Sequence, residues 1–475
     1  MKSALFPLLA ILILAPCMQA SQEARASVSS GLLQENYKVS WKLPAEDFSF
    51  PFTIQTSEDG KRVLVEYSSA YSAGAVILDD EGKKLLNVTL ERSGVLVPIG
   101  VAPTMSALTS EGGILVSANT IYRDGNPSDS VLAWHDVDTG HQLRSVTIDE
   151  ESTIYSLSIS HNADLVTVSG VVWGNYTFID AFDSQGRELW KQLFKARELV
   201  GYYESLYVHS NVAVSGDGSH VAAALRDQSV RFGLMCGGRN GVIVFDSAGK
   251  LLWNYTTPEC VWNTAISEGG QYVLASGDSH LYGFTIDGRV LWNMPLDSAI
   301  VATAGAGEGF IAGDFFGGRL VLGNAGGSYW EMNVNGEVES VGISDSGNVS
   351  AAVISREYPD TRTERLLYVM DDRGTLLANY TSVGSNMAVG SSRVAVSGNG
   401  CCIVAALETD GIYYLQGSKI ETQTTTVSSS ITSSSYGVEQ SQTLAAVLLI
   451  GASGLAAFLL VRNYRSHVKT RGKVN

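Results

Sequence analysis

Hydrophobic and polar residues alternate along most of the chain, and small polar turns interrupt the alternation at short intervals. In "GKLLWNYTT", residues 249–257, Leu251, Trp253 and Tyr255 alternate with Leu252, Asn254 and Thr256. That spacing predicts a strand with one packed and one wet face. Two hairpin patterns recur and interleave. The first joins two apolar strands through a Gly/Ser/Asp turn, as in "VAVSGDGSHVAAAL" from Val212, "TAISEGGQYVLASG" from Thr264, "VGISDSGNVSAAVI" from Val341 and "VAVSGNGCCIVAAL" from Val394. Looser copies begin at Phe52, Ser106, Leu157 and Ala302, which makes eight. The second resembles "VIVFDSAGKLLWNYT" from Val242 and occurs seven times, with turn glycines Gly82, Gly140, Gly186, Gly249, Gly288, Gly326 and Gly374. Small and β-branched residues around such turns are hairpin signals.

Each pair of hairpins makes a unit of four strands, and a repeated four-strand unit predicts a β-propeller. The count leaves the last unit short. After the eighth hairpin of the first kind only "GIYYLQ", residues 411–416, precedes a change of composition. A spare strand, "YKVSWKLP", residues 37–44, stands at the front. Its Trp41 matches Trp190, Trp253, Trp292 and Trp330, each four residues after its turn glycine. The expected fold is therefore all-β: an eight-bladed β-propeller over residues 37–417, closed by an N-terminal strand, which would hide the sheet edge of an open fan.

The ends of the chain set its surroundings. Lys2, an apolar run over residues 5–14 and a small-residue exit at Ala20 predict a signal peptide over 1–20. Residues 21–36 read as a disordered lead-in. Eleven of the fifteen residues 421–435 are Ser or Thr, so 418–442 reads as a stalk that cannot build a core. Thr443 to Val461 are 19 residues without a charge, enough for one transmembrane helix. Arg462, Arg465, Lys469, Arg471 and Lys473 follow, so 462–475 is expected to be a cytoplasmic tail and the propeller extracellular. Setting aside Lys2 and the five tail cations leaves 26 basic against 48 acidic residues, a net −22 on the outer part. Such a surface repels nucleic acid and favours solubility.

"FDSAGKLLWNY" and "FDSQGRELW" resemble the repeat of pyrroloquinoline-quinone-type propellers, the quinoprotein-dehydrogenase-like superfamily. "VAVSGDGSHVAA" is similar to the WD-type repeat. Signal, propeller, Ser/Thr stalk and C-terminal anchor together also resemble archaeal cell-surface proteins. The resemblance implies an eight-bladed disc and raises an alternative function, a secreted quinoprotein-like dehydrogenase. Quinone-binding members carry an adjacent-cysteine disulfide over the cofactor, and Cys401-Cys402 is such a pair here. Adjacent strand residues point to opposite faces, which instead predicts one buried and one exposed thiol. The chain also lacks the extra length those enzymes use for cofactor and calcium ligands. The histidines are scattered without metal spacing, and neither a Gly-x-Ser-x-Gly elbow nor a phosphate loop occurs. No catalytic residue, cofactor or metal is assigned.

The candidate sites lie in the connections. Turns within the hairpins are short, whereas links between second and third strands and between blades are long, and all of these leave one face of a propeller. Around blades three to five they carry Tyr202, Tyr203, Tyr207, Arg226, Arg231 and Trp262, residue types that dominate interface energies. Cys236 and Cys260 fall in two such connections and are expected to form a disulfide. Five sequons, at Asn87, Asn175, Asn254, Asn348 and Asn379, are candidate glycan sites. Asn87, Asn254 and Asn379 each lie five residues after a turn glycine. The function expected is a membrane-anchored extracellular binding or envelope-scaffolding module for a protein or glycan.

Overall fold

The computed structural model describes residues 36–417 apart from 45–50, 69–71, 92–103, 124–125, 151, 173–175, 196–206, 229–239, 304–308, 328, 360–361, 386–392 and 408–410. The signal peptide, stalk, membrane span and tail expected from the sequence lie outside the described residues. Within them no helix is long and apolar enough to cross a membrane.

Among the described residues, thirty-two strands form eight four-stranded antiparallel sheets, the blades of an all-β propeller. Blades one to seven each take four consecutive strands, over residues 51–91, 104–150, 152–195, 207–257, 261–295, 300–333 and 337–385. Blade eight takes β30 (Arg393–Val396), β31 (Cys402–Ala406) and β32 (Ile412–Gly417), with β1 (Tyr37–Leu43) as its outermost strand. β1 runs antiparallel to β32, with Trp41 opposite Tyr414 and their rings stacked 5.0 Å apart. Tyr37, 1 % exposed, donates its hydroxyl to Gly400 O at 2.5 Å.

The hydrophobic core is divided among the seams. One cluster joins Val242 and Val244 of blade four to Val273 and Phe284 of blade five. Another joins Val404 and Tyr414 of blade eight to Val63 and Leu78 of blade one. Middle strands are therefore buried on both faces, as β19 (Tyr272–Gly277) is throughout its length. Outer strands keep the period of two. In β17 (Leu251–Thr257), Trp253 and Tyr255 are half-buried while Leu252, Asn254 and Thr256 are exposed.

The outer-strand tryptophans tie the seams. Trp253 donates its indole N–H to Ile286 O of blade five at 2.7 Å, and its ring lies over Gly288. Trp190 donates to Ser247 O, Trp292 to Ala325 O and Trp41 to Asp80 O, each in the third-to-fourth turn of the next blade. Gly288 is required twice over. Its φ is +88°, and a Cβ there would sit 2.7 Å from Trp253 Cγ. The blade-six turn differs from expectation by one residue. Gly327, not Gly326, has the positive φ, and its N–H closes the turn on Asn324 O. Asn324 occupies the place taken by Thr285 in blade five and Asp371 in blade seven, and Trp330 follows the functional glycine by three residues.

Candidate binding face and its opposite

Second-to-third and blade-to-blade connections leave the same end of every sheet, and they include all the long ones. The best described part of this face lies where blade four passes to blade five. β17 ends at Thr257, whose hydroxyl donates to Glu259 O at 2.7 Å. β18 (Val261–Ile266) then begins. Glu259 reaches into blade five, where Oε2 accepts the Ser279 N–H at 2.7 Å. Its Oε1 accepts the Tyr282 hydroxyl at 2.5 Å and lies 3.1 Å from His280 Nδ1. Gly277 makes room, since a Cβ there would stand 2.6 Å from the Glu259 carboxyl carbon. Burial, then the hydrogen bond to Glu259, raises the Tyr282 hydroxyl above the ordinary tyrosine range. Asp278 completes the junction. Its Oδ1 accepts the Trp262 indole N–H at 2.5 Å, and its backbone N–H donates to Cys260 O at 3.1 Å.

Two carboxylates thus clamp the link between blades and hold Trp262, half-buried, at the loop-bearing face. Of the other predicted binding residues, Tyr202, Tyr203 and Arg231 lie outside the described residues. Tyr207 opens β14 (Tyr207–Val214) opposite Gln228, and Arg226 in β15 (His220–Gln228) pairs with His209. Both stand at the loop-bearing end. Cys260, fully buried, is disulfide-bonded; Cys236, its expected partner, lies outside the described residues.

The opposite face is made of short turns tied to one another around the axis. Glu58 N donates to Ser110 O, Ser110 N to His161 O, and His161 N to Gly216 O, at 2.8 to 2.9 Å. Asp217 N donates to Glu268 O, Asp345 N to Gly398 O, and Asn399 N to Glu58 O. The side chains of these turns converge. His161 Nδ1 is 3.0 Å from Glu268 Oε1. Burial raises Glu268; His161 opposes the shift, and Asp345, Glu58 and Asp217 add to it. Burial likewise raises Asp345, with His161 opposing and Glu58 adding. A cavity of about 400 Å³ lies beside them, lined by Glu58, Glu111 and His161. No group of residues is placed to hold a metal ion among the described residues. The acidic mouth does not fit pyrroloquinoline quinone, a polycarboxylate that such a cluster would repel.

The family model described as outer membrane protein assembly factor BamB, of the PQQ type, matches residues 177–381. The solved C-terminal WD40 domain of Sif2 superimposes with a TM-score of 0.54 at 12% identity, covering 81% of this chain and 99% of that one. The Dos1 propeller gives 0.55 at 13%, covering 80% and 96%. The chain is a β-propeller, similar over residues 177–381 to the PQQ type and in its fold to WD40 propellers. Among curated proteins no sequence matches it. At these identities the likeness shows the fold and leaves function to the site.

Asn87, Asn254 and Asn379 of the propeller are exposed at one position of the outer strands, opposite Val76, Ile243 and Tyr368 respectively. Asn348 is exposed in a first-to-second turn on the short-turn face, and Asn175 lies outside the described residues. Cys401 and Cys402 are free, with sulfurs 3.8 Å apart. Cys402 is buried against Gly60 of blade one, while Cys401 is partly exposed. The Cys402 hydrogen bond holds the Cys401 thiol down to about 6. Sequence reasoning missed Glu259, Asp278, Tyr282 and the axial cluster. Each group is assembled from different blades, and no local spacing announces it.

Proposed function

We propose that the chain is a membrane-anchored extracellular propeller that binds a protein or glycan, or scaffolds an envelope, through its loop-bearing face. It acts as a binding module and not as an enzyme. The observation that carries this reading is the asymmetry of the disc. One face is built of short turns, hydrogen-bonded from blade to blade among the described residues. The other bears every long connection, and its blade-four-to-five junction is held rigid by Glu259 and Asp278. A rigid scaffold with elaborated loops on one side is how binding surfaces are built. The family description, an assembly factor of an outer membrane, supports the scaffolding form of the reading.

The test is capture of a partner from the native envelope by the full-length protein. Changing Tyr202, Tyr203 and Arg231 together to Ala abolishes capture and leaves the melting temperature unchanged. Full retention of the partner would place binding elsewhere. Loss of folding along with binding would mean that these loops serve packing.

A further inference from the structure

Blade six breaks the tryptophan rule on the short-turn face. In the pairing of β24 (Arg319–Asn324) with β25 (Tyr329–Asn333) the register runs without the bulge present in the outer pairs of blades four, five and seven. Trp330 still lies on the turn glycine of blade seven, where a Cβ on Gly374 would be 2.4 Å from its ring. Its indole N–H, unlike those of Trp41, Trp190, Trp253 and Trp292, has no acceptor among the described residues. The carbonyl that would correspond belongs to Asp372.

A recess of about 410 Å³ opens at this place between blades six and seven, lined by Phe310, Asn324, Tyr329, Trp330, Asn348 and Asp372. Glycines form much of the rest of its wall, so the backbone leaves the space open. Tyr329 is 53 % exposed. The Tyr329 hydroxyl, the Asn348 carboxamide and the Asp372 carboxylate have no partner among the described residues. One aromatic face, one N–H donor, one amide and one carboxylate therefore meet around a concave space with their bonding capacity unused.

We propose that this recess is a saccharide-binding site. A pyranose ring has an apolar C–H face and a rim of hydroxyls that both donate and accept. The first suits Tyr329. The second suits Trp330 Nε1, Asn348 and Asp372. A single carboxylate on the wall disfavours anions and is too few ligands for a metal ion. The sugar has two possible sources. Asn348-Val349-Ser350 is a sequon at the lip of the recess, so a glycan attached there would place its own first sugars inside. Alternatively the sugar belongs to another molecule. The site lies on the face opposite the loops and does not depend on the function proposed for them.

The experiment titrates full-length protein, in a non-glycosidic detergent, with N,N′-diacetylchitobiose, cellobiose and maltose. Tryptophan fluorescence and saturation-transfer NMR are the readouts. The protein is made in a host without N-glycosylation and in one with it. Unglycosylated protein binds at least one of the three disaccharides. Tyr329→Ala weakens that binding about tenfold or more. Trp330→Phe, which keeps a ring on Gly374 and removes only the N–H, weakens it about fivefold with little change in melting temperature. If glycosylated wild type fails to bind but its Ser350→Ala variant, which removes the sequon and keeps Asn348, binds, the glycan at Asn348 is the occupant; if both bind, the occupant comes from outside. Absence of binding by all three sugars to unglycosylated protein overturns the proposal. So does binding that Tyr329→Ala and Trp330→Phe leave unchanged.

Discussion

Replacing Glu66 by Gln should change how the stability of the propeller depends on pH. Glu66 lies in β3 (Arg62–Ser68), between Thr53 and Ala75 on the flanking strands, and is 4 % exposed. Its Oε1 has no hydrogen-bond partner. Burial raises its carboxyl to about 7; hydrogen bonds with Thr53 and Ser106 pull the other way and recover only part of the shift. A group raised in the folded state binds its proton more tightly there than in the unfolded chain. Its contribution is fully present below the unfolded value, near 4.5, and is lost as pH rises through about 7. The shift from 4.5 to about 7 corresponds to about 3 kcal/mol at 1.36 kcal/mol per unit. Glutamine keeps the shape and cannot ionise. The variant should therefore match wild type within a small constant offset at pH 4 and exceed it by about 3 kcal/mol at pH 8. For a cooperative unit of about 380 residues this is roughly 4 °C in melting temperature. Glu268, Asp345 and Glu337 are also raised, but they shift both proteins alike and cancel in the difference. Urea unfolding followed by tryptophan fluorescence from pH 4 to 8.5 measures it. Parallel curves for the two proteins would refute the assignment of Glu66 as a buried, neutral acid.

Three further outcomes test the construction of the ring. Gly288→Ala should cost about 2 kcal/mol, from its positive φ and the Trp253 ring above it, whereas Gly113→Ala, with nothing within 4 Å of its Cβ, should be near neutral; equal melting temperatures would remove the tryptophan contact as a seam determinant. Deleting residues 37–44 strips β1 from blade eight and removes Tyr37 and Trp41, together about 5 kcal/mol of buried aromatic surface; a deletion protein that melts with wild type would show that β1 does not hold the ring. Peptide mapping without reductant should recover Cys260 joined to Cys236, and a free Cys236 would end that pairing.

The repeat was legible because the same contact is made again and again. A turn glycine at positive φ and an outer-strand tryptophan come from adjacent blades, but each repeats at nearly constant spacing. The eight turns between first and second strands were legible for a similar reason, since a Ser or Thr commonly caps the turn through its hydroxyl, as Ser215 does for the His220 N–H. Burial along the middle strands was not legible. Glu66 in "RVLVEYS" reads as the wet residue of an alternating strand, yet a strand covered on both faces has no wet side. The carboxylate junction of Glu259 and Asp278 was hidden for another reason. Its members come from a blade link and a later turn, and what joins them is the angle at which two sheets meet. The axial groups Glu58, His161, Asp217, Glu268 and Asp345 are one turn residue from each of five blades. In the linear chain each is an ordinary polar turn residue.

Repetition also changes what an exception means. In a fold with one of each contact, an indole N–H without an acceptor is a single unsatisfied group with many explanations. Here four tryptophans at the equivalent place donate to the next blade, so the packing that satisfies the group is available to this backbone. Trp330 departs from it together with a shifted turn glycine and an outer strand that has lost its bulge. The three changes are one event: with the glycine a residue later and no bulge, the ring stays on Gly374 while its N–H no longer reaches the turn carbonyl. The space this leaves collects Tyr329, Asn348 and Asp372, each with bonding capacity to spare. A seam relaxed only by drift would lose a hydrogen bond and be expected to close over the gap with apolar side chains. This one stays open, with polar groups around its rim, and that combination is what separates a built recess from a packing defect.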